Sequence, residues 1–195
     1  MAVVQKIALY EQLFAQPSME AMLALSWQDF QDFVAHVFTC AGYTVECVAN
    51  KFFPLGPGVD LNLYVGQVRG KPVARVEVRR YAPSNLLNFQ DIAAFLGVLD
   101  LAQGIPGYMV TTSDFNGPAR EAVRQANGRV RILNGARLLR YITYIGGSRL
   151  GGEYAGLQVA PTQPTAPDWL ETAEEINRRT ARPPRQTRVL VIANT

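Results

Sequence analysis

The sequence is poor in the residues that most metal centres and nucleophilic sites use. Its 195 residues include one histidine, His36, and two cysteines, Cys40 and Cys47. This set cannot build a four-ligand zinc site or a disulfide framework, and it nearly excludes His-based catalytic triads. We expect His36 to be solvated and the cysteines to be half-buried packing residues. A metal ion bound by this chain would have to be a hard cation held by carboxylates.

Long apolar runs and a high charge density are also missing. No stretch approaches the roughly 18 consecutive apolar residues of a membrane helix, so no membrane partner is expected. The first six residues lack the pattern of a secretory signal, which together with the few cysteines predicts a cytoplasmic protein. Charged residues make up 18% of the chain and apolar residues 48%. This composition supports a sizeable core and excludes intrinsic disorder of the whole chain.

Charge is distributed unevenly along the chain. The formal net charge at pH 7 is only +3. Residues 1–60 carry 2 basic and 6 acidic side chains, a balance of −4, whereas residues 61–149 carry 12 basic and 5 acidic ones, a balance of +7. Residues 150–195 carry 5 of each and balance to zero. A central basic block is typical of proteins that bind polyanions, and equally of an arginine-rich surface that is simply solvated.

The spacing of apolar residues predicts an α/β domain over residues 26–145. A helix opens at Ser26, which has the spacing of a capping box with Asp29, and three short strands with alternating apolar residues follow it. Further strands are predicted at 107–112 and 129–133, separated and flanked by helices at 88–102, 115–126 and 135–144. An antiparallel meander followed by a parallel βαβ pattern predicts a mixed central sheet flanked by helices.

The residues outside this domain divide into three segments. Residues 1–25 are predicted to form a helical lead-in interrupted at Pro17, and residues 146–167 a linker rich in Gly and Pro. Residues 168–195 are predicted to form a tail with a short helix and a strand. Because that strand has no partner of its own, we expect the tail to dock on the sheet edge or on a second protomer, or to contact a partner protein.

Two acids and a cation are predicted to meet on one face of the meander. Asp60 lies on the polar face of the second strand, and Glu77 and Arg79 lie on the polar face of the third. Adjacent antiparallel strands can bring these side chains within reach of one another. Two carboxylates that hold Mg²⁺ beside a cation are what phosphodiester hydrolysis requires. The same residues also fit a charged pair on a solvated strand face, with Asp60 capping a turn.

Several segments together resemble the Mrr-like restriction endonuclease domain. Trp27 and the residues up to Val34 resemble its opening helix, and Gly58 to Asp60 resemble its Gly-hydrophobic-Asp motif. The remaining matches follow in the same order and with compatible spacing, at residues 41–45, 76–81, 111–115 and 130–135. The resemblance extends over about residues 26–145.

This resemblance implies a restriction-endonuclease-like core of the PD-(D/E)xK nuclease superfamily, which cleaves DNA with Mg²⁺ or Mn²⁺. It implies that Asp60 and Glu77 hold the metal and that Arg79 stands at the catalytic lysine position. Gln31 falls where many relatives have a helix glutamate that assists the site. The candidates for contacts to DNA phosphates are Arg80, Tyr81, Arg120 and Arg124.

Two departures from the family pattern leave two functions open. Arg79 replaces a lysine and is a poor proton-transfer group, and Gln31 replaces a glutamate and removes one negative charge. The first hypothesis is a metal-dependent DNA endonuclease, for which double-strand cleavage favours a homodimer. The second is a catalytically inactive descendant that keeps the nuclease fold as a DNA-binding or protein-assembly module.

Overall fold

A computed structural model of the chain describes residues 3–48, 58–66, 70–102 and 104–150. Within these ranges, six helices and five strands follow one another along the chain. Their bounds are α1 (Val3–Ala15), α2 (Met19–Ala24), α3 (Trp27–Cys40), β1 (Thr44–Cys47), β2 (Leu61–Tyr64), β3 (Ala74–Arg79), α4 (Phe89–Leu101), β4 (Gly107–Thr111), α5 (Gly117–Gln125), β5 (Val130–Leu133) and α6 (Gly135–Leu150).

The five strands form one mixed sheet in the order β1-β2-β3-β4-β5. Strands β1, β2 and β3 pair antiparallel, whereas β3, β4 and β5 pair parallel. The predicted architecture, a meander joined to a parallel βαβ arrangement and flanked by helices, is therefore confirmed. Because β3 belongs to both parts, its Val76 pairs with Leu61 of β2 on one side and its Glu77 pairs with Met109 of β4 on the other.

The sheet separates two hydrophobic clusters. Val76 and Val78 of β3 belong to the larger cluster, which also includes buried residues of α1, α3 and α6. Met109 of β4 belongs to the smaller cluster, together with residues of α4 and α5. Since side chains alternate along a strand, Glu77 and Arg79 point to the face opposite Val76 and Val78, as the sequence predicts.

Helix α3 begins where the sequence predicts, at a Ser26 cap. The Ser26 hydroxyl accepts a hydrogen bond from the Asp29 N–H at 3.0 Å and lies 2.6 Å from the Asp29 carboxylate. Trp27, at its first turn, is 41% exposed. The expectation that His36 is solvated is wrong, because α1 lies over it and His36 packs against the rings of Tyr10 and Phe14.

The helical lead-in and the last helix pack against each other in the larger cluster. Tyr10, Leu13 and Phe14 of α1 are all buried there, so α1 is part of the same packed unit as the sheet. Helix α6 continues to Leu150, past the predicted start of the linker at Gly146. A Cβ atom at Gly146 would lie 2.8 Å from the Phe14 carbonyl oxygen. The glycine therefore allows close helix packing rather than ending the helix.

Three sequence expectations concern the periphery. Cys40 is half-buried as expected, but Cys47 is exposed, and the two form no disulfide. The predicted C-terminal tail and all of the linker beyond Leu150 lie outside the described residues. Among the helices that the structure describes, none has the length and apolar character needed to cross a membrane.

Candidate active site

Glu77 is a buried carboxylate in the middle of the sheet. Its residue is only 2% exposed, so it does not lie on a solvated strand face. One of its oxygens, Oε1, accepts a hydrogen bond and ion pair from the Arg79 guanidinium. The other, Oε2, is buried and has no hydrogen-bond partner among the described residues. Buried carboxylate oxygens are normally satisfied, so this oxygen marks a position where an additional group would be stabilising.

Asp60 is held directly beside Glu77. Its N–H donates to the Val76 carbonyl at 2.8 Å, and its Oδ2 accepts from the Val78 N–H at 2.6 Å. Main chain and side chain of Asp60 thus bind β3 on both sides of Glu77. The carboxylate of Asp60 bonds to the neighbouring strand, while residues 49–57, which include most of the turn before it, lie outside the described residues.

Both carboxyl groups are harder to ionise than free ones. Burial raises the pKa of Asp60, and this effect exceeds the opposing effects of the Val78 N–H and the Arg79 charge. Burial, together with the Asp60 charge and against the Arg79 charge, likewise raises the pKa of Glu77 to about 7. The two carboxyl groups therefore interact electrostatically in a poorly solvated environment, with the Arg79 cation nearby. A bound divalent cation would stabilise both in their charged forms.

Arg79 ends β3, and its side chain closes back onto Glu77. The side chain is 30% exposed, while that of Glu77 is 2% exposed, so the guanidinium lies between the buried acid and solvent. The pairing of Glu77 with Arg79, one of the two interpretations that the sequence allows, is therefore observed. It occupies one of the two oxygens of Glu77.

Gln31 does not join this group by a hydrogen bond. It lies on α3, which packs on the sheet face opposite Glu77, and it is 1% exposed. Its side-chain oxygen is buried and lacks a hydrogen-bond partner in the part of the chain that the structure describes. It is thus a second buried acceptor without a donor, on a different element from the two acids.

The four candidate DNA contacts fall into two pairs. Arg80 and Tyr81 follow the acids along the chain, and the Arg80 guanidinium donates to the Leu23 carbonyl at 2.9 Å. Arg120 and Arg124 lie on α5, in salt bridges with Asp114 and Glu121. The structure does not bring the α5 pair into contact with Asp60, Glu77 or Arg79 through any hydrogen bond or salt bridge of the described residues.

The family to which this site belongs follows from a comparison with family models. The model of the Mrr-type restriction endonuclease catalytic domain matches residues 22–142, which is more than half of the chain. The chain belongs to the Mrr-type restriction endonuclease family. Asp60, Glu77, Arg79 and Gln31 all lie within the matched range, as do the four candidate DNA contacts.

Two solved structures are similar to this Mrr-type chain. One is the MspJI restriction endonuclease in complex with a 27-mer oligonucleotide, with 19% identity, a TM-score of 0.43 and coverage of 79% of this chain. The other is the DNA modification-dependent restriction endonuclease AspBHI, with 14% identity, a TM-score of 0.45 and coverage of 92%. The Mrr-type chain spans 33% and 39% of their lengths. No curated protein matches its sequence.

The donors of this Mrr-type site fit a hard divalent cation. Carboxylate oxygens are the ligands such ions prefer, and Glu77 Oε2 is a buried oxygen without a hydrogen-bond partner within the described ranges. Across residues 3–48, 58–66, 70–102 and 104–150, no group of three or more His, Cys, Asp or Glu side chains forms a metal-binding cluster. The fit therefore rests on two acids, Asp60 and Glu77.

The sequence of residues 111–115 matches the family, but it predicts no role for the hydroxyls at the end of β4. Thr111, Thr112 and Ser113 are all buried, and each hydroxyl hydrogen-bonds the main chain. The signal that could have assigned them a role is three consecutive hydroxyl residues at the carboxyl end of a parallel strand, where functional groups of α/β sheets collect.

Proposed function

We propose that this chain is a divalent-metal-dependent DNA endonuclease that hydrolyses phosphodiester bonds at Asp60, Glu77 and Arg79. The observation that carries the proposal is the buried Glu77 carboxylate, which has one oxygen without a hydrogen-bond partner among the described residues and lies beside Asp60. It occurs inside a domain matched by a restriction endonuclease family model. A cytoplasmic location and action as a homodimer are part of the same proposal.

In this proposal Asp60 and Glu77 hold Mg²⁺ or Mn²⁺. When bound, such an ion lowers the pKa of a water and polarises the phosphate. The hydrogen bonds that tie Asp60 to β3 keep its carboxylate beside Glu77, so that little ordering is left for the moment of binding. Gln31 enters the proposal only through its position in the family pattern, where it lacks the charge that a glutamate would add.

Arg79 stabilises negative charge on the substrate phosphate. Its half-exposed guanidinium lies at the solvent side of Glu77, and a planar fork of this kind can bind two phosphate oxygens. Because arginine is a poor proton-transfer group, we assign it charge stabilisation and no proton transfer. Only Nη2 of Arg79 is shown bonded to Glu77 Oε1, and if the guanidinium turns fully to the phosphate, that oxygen is freed as well.

The proposal also includes contacts between basic residues of the chain and the DNA backbone. Arg120 and Arg124 are exposed and paired with single acids, and exposed ion pairs are weak enough to exchange for phosphate contacts. Arg80 and Tyr81 are positioned by the same segment as Arg79. Contacts of this type carry little sequence information, so target choice and dependence on DNA modification are left to other determinants.

A second function is favoured by one observation. Arg79 closes on Glu77 in an ion pair, and a site locked in this way would be a remnant in a DNA-binding or protein-assembly module. In that case the contacts to a partner would come from the basic surface or the C-terminal tail. The two functions differ in whether the carboxylates are needed for any measurable reaction.

Nicking of supercoiled plasmid separates them. The purified chain is incubated with methylated and unmethylated plasmid and Mg²⁺ or Mn²⁺, beside D60A and a control, D100A, which removes an exposed acid that pairs with Arg129. We expect cleavage by wild type and by D100A within about twofold, and loss of roughly a thousandfold in D60A. Equal background nicking by all three folded proteins on both plasmids would favour the second function.

A further inference from the structure

A single buried hydroxyl holds both main-chain groups of Tyr81. The Thr112 Oγ1 accepts a hydrogen bond from the Tyr81 N–H at 2.9 Å and donates one to the Tyr81 carbonyl at 2.7 Å. Thr112 is 2% exposed, so water does not readily replace either bond. One side chain thereby satisfies a donor and an acceptor that would otherwise be left at the end of a strand.

These bonds extend the pairing of two parallel strands beyond their last regular residues. The ladder between β3 and β4 ends where Arg79 pairs with Thr111. Beyond it, the Thr112 N–H donates to the Arg79 carbonyl at 3.3 Å. The main-chain N–H of Thr112 therefore holds Arg79, the residue before Arg80, and its hydroxyl holds Tyr81, the residue after it.

The neighbouring hydroxyl, Ser113, serves a different stretch of chain. Its Oγ lies 2.8 Å from the Asn85 carbonyl and 3.2 Å from the Pro83 carbonyl. It therefore holds the loop four to six residues beyond Arg79. Thr112 and Ser113 are equally buried hydroxyls next to each other, and only Thr112 binds the segment that carries Arg79.

We propose that Thr112 is a positioning residue of the nuclease site, whose hydroxyl fixes the segment from Arg79 to Tyr81 so that Arg79 is presented to the scissile phosphate. This inference rests on the proposed function. The direction of a side chain at a strand end follows the main chain that bears it, and a displacement of about 1 Å can cost two orders of magnitude in rate. Thr112 itself touches neither metal nor DNA in this role.

The test compares T112V, T112S and S113A in the full chain. T112V keeps the shape and removes the hydroxyl, T112S restores it, and S113A removes the adjacent hydroxyl as a matched control. The first readout is the ¹⁵Nε–H signal of Arg79 in NMR spectra together with hydrogen exchange of the Tyr81 amide, which needs no nuclease activity. The second is the single-turnover cleavage rate at saturating DNA, measured beside DNA affinity and thermal stability.

We expect T112V to shift the Arg79 signal, to speed Tyr81 exchange and to slow cleavage by roughly tenfold to a hundredfold, with DNA affinity within about threefold. T112S and S113A should cleave within about threefold of wild type, even if S113A is as destabilised as T112V. An unmoved Arg79 signal in T112V, or cleavage by T112V at the wild-type rate, would overturn the inference.

Failure of the proposed function gives a different pattern. If wild type does not cleave, but T112V still shifts the Arg79 signal and speeds Tyr81 exchange while S113A does neither, the nuclease proposal fails and the positioning of Arg79 by Thr112 is supported. If the T112V and S113A spectra then change alike around Arg79, the positioning inference fails too.

Discussion

Buried polar groups near the carboxyl ends of the neighbouring strands β3 and β4 differ in whether all their hydrogen bonds are formed. After β4, the hydroxyls of Thr111, Thr112 and Ser113 all form hydrogen bonds with the main chain. In β3, the Glu77 carboxylate keeps one buried oxygen without a hydrogen-bond partner in the described part of the chain, and its pKa is raised to about 7. Both groups are almost fully buried.

This difference in hydrogen bonding distinguishes residues that stabilise the fold from residues of the candidate site. A buried polar group with all its bonds formed stabilises one arrangement of the chain. A buried carboxylate with a missing partner costs stability and is tolerated where a ligand completes it. Of the satisfied residues, Thr112 would then hold the segment that carries Arg79, and Ser113 would hold the loop beyond it. Substitutions on the two sides should therefore change stability in opposite directions.

The largest effect is expected for activity at the unsatisfied side. E77Q keeps the size of the side chain and removes its charge, which deletes half of the proposed metal-binding pair. We expect the single-turnover cleavage rate with Mg²⁺ to fall by roughly a thousandfold. Cleavage by E77Q at more than about a tenth of the wild-type rate would mean that Glu77 does not belong to the catalytic site. The proposed contrast between β3 and β4 would then fail.

The same substitution should stabilise the protein in a pH-dependent way. The pKa of Glu77 is raised from the usual 4.5 to about 7, so the folded state binds its proton more tightly than the unfolded state does. The contribution of Glu77 to the stability of wild type therefore falls as the pH rises from about 4.5 through 7. In metal-free buffer we expect E77Q to be more stable than wild type by about 3 kcal/mol at pH 8, and nearly equal at pH 4.

Urea unfolding of both proteins at pH 4, 6 and 8 measures this difference. D100A serves as the control, because Asp100 is exposed and its removal should not reproduce the trend. An E77Q variant that is less stable than wild type at pH 8 would mean that the Arg79 ion pair outweighs the cost of burying the charge. Glu77 would then stabilise the fold, as the hydroxyl residues at the end of β4 do.

On the satisfied side we expect a smaller loss that does not depend on pH. S113A removes a buried hydroxyl that bonds to the Pro83 and Asn85 carbonyls. Loss of such a bond costs about 1 kcal/mol, and neither partner titrates. The same urea series should show S113A below wild type by a constant amount, whereas a gain in stability would contradict the scaffold role.

The sequence predicts a feature of this contrast when the residues that cause the feature are close together in the chain. The alternation of β3 places Glu77 and Arg79 on one face, and the Ser26 cap fixes the start of α3, because both signals lie within a few residues. The burial of Glu77 depends on packing between distant segments, which periodicity does not contain. Gly146 has the same limitation, since its role becomes visible only once Phe14 of α1 lies against it.

The site was predicted in the same partial way. The positions of Asp60 and Glu77 follow from strand alternation and the family motif, and the structure adds the bonds that hold Asp60 to Val76 and Val78. The hydrogen bonds of Thr112 could not be predicted, because they depend on the parallel register of β3 and β4 beyond their last paired residues. A hydroxyl at a strand end has many possible partners until that register is known.

The smallest effect on stability is expected for polar groups that are paired but exposed to solvent. Arg124 of α5 is 77% exposed and bonds to Glu121 one turn away. Exposed pairs of this kind contribute well below 1 kcal/mol, so R124A should unfold within about 0.5 kcal/mol of wild type. Its DNA affinity should nevertheless fall, and the slope of log affinity against log salt should become shallower by about one unit. Fluorescence anisotropy over a salt series, with R129A as the matched loss of an exposed arginine, measures that slope. An R124A variant with an unchanged slope would place α5 outside the DNA contacts and leave Arg124 with its helix pair alone.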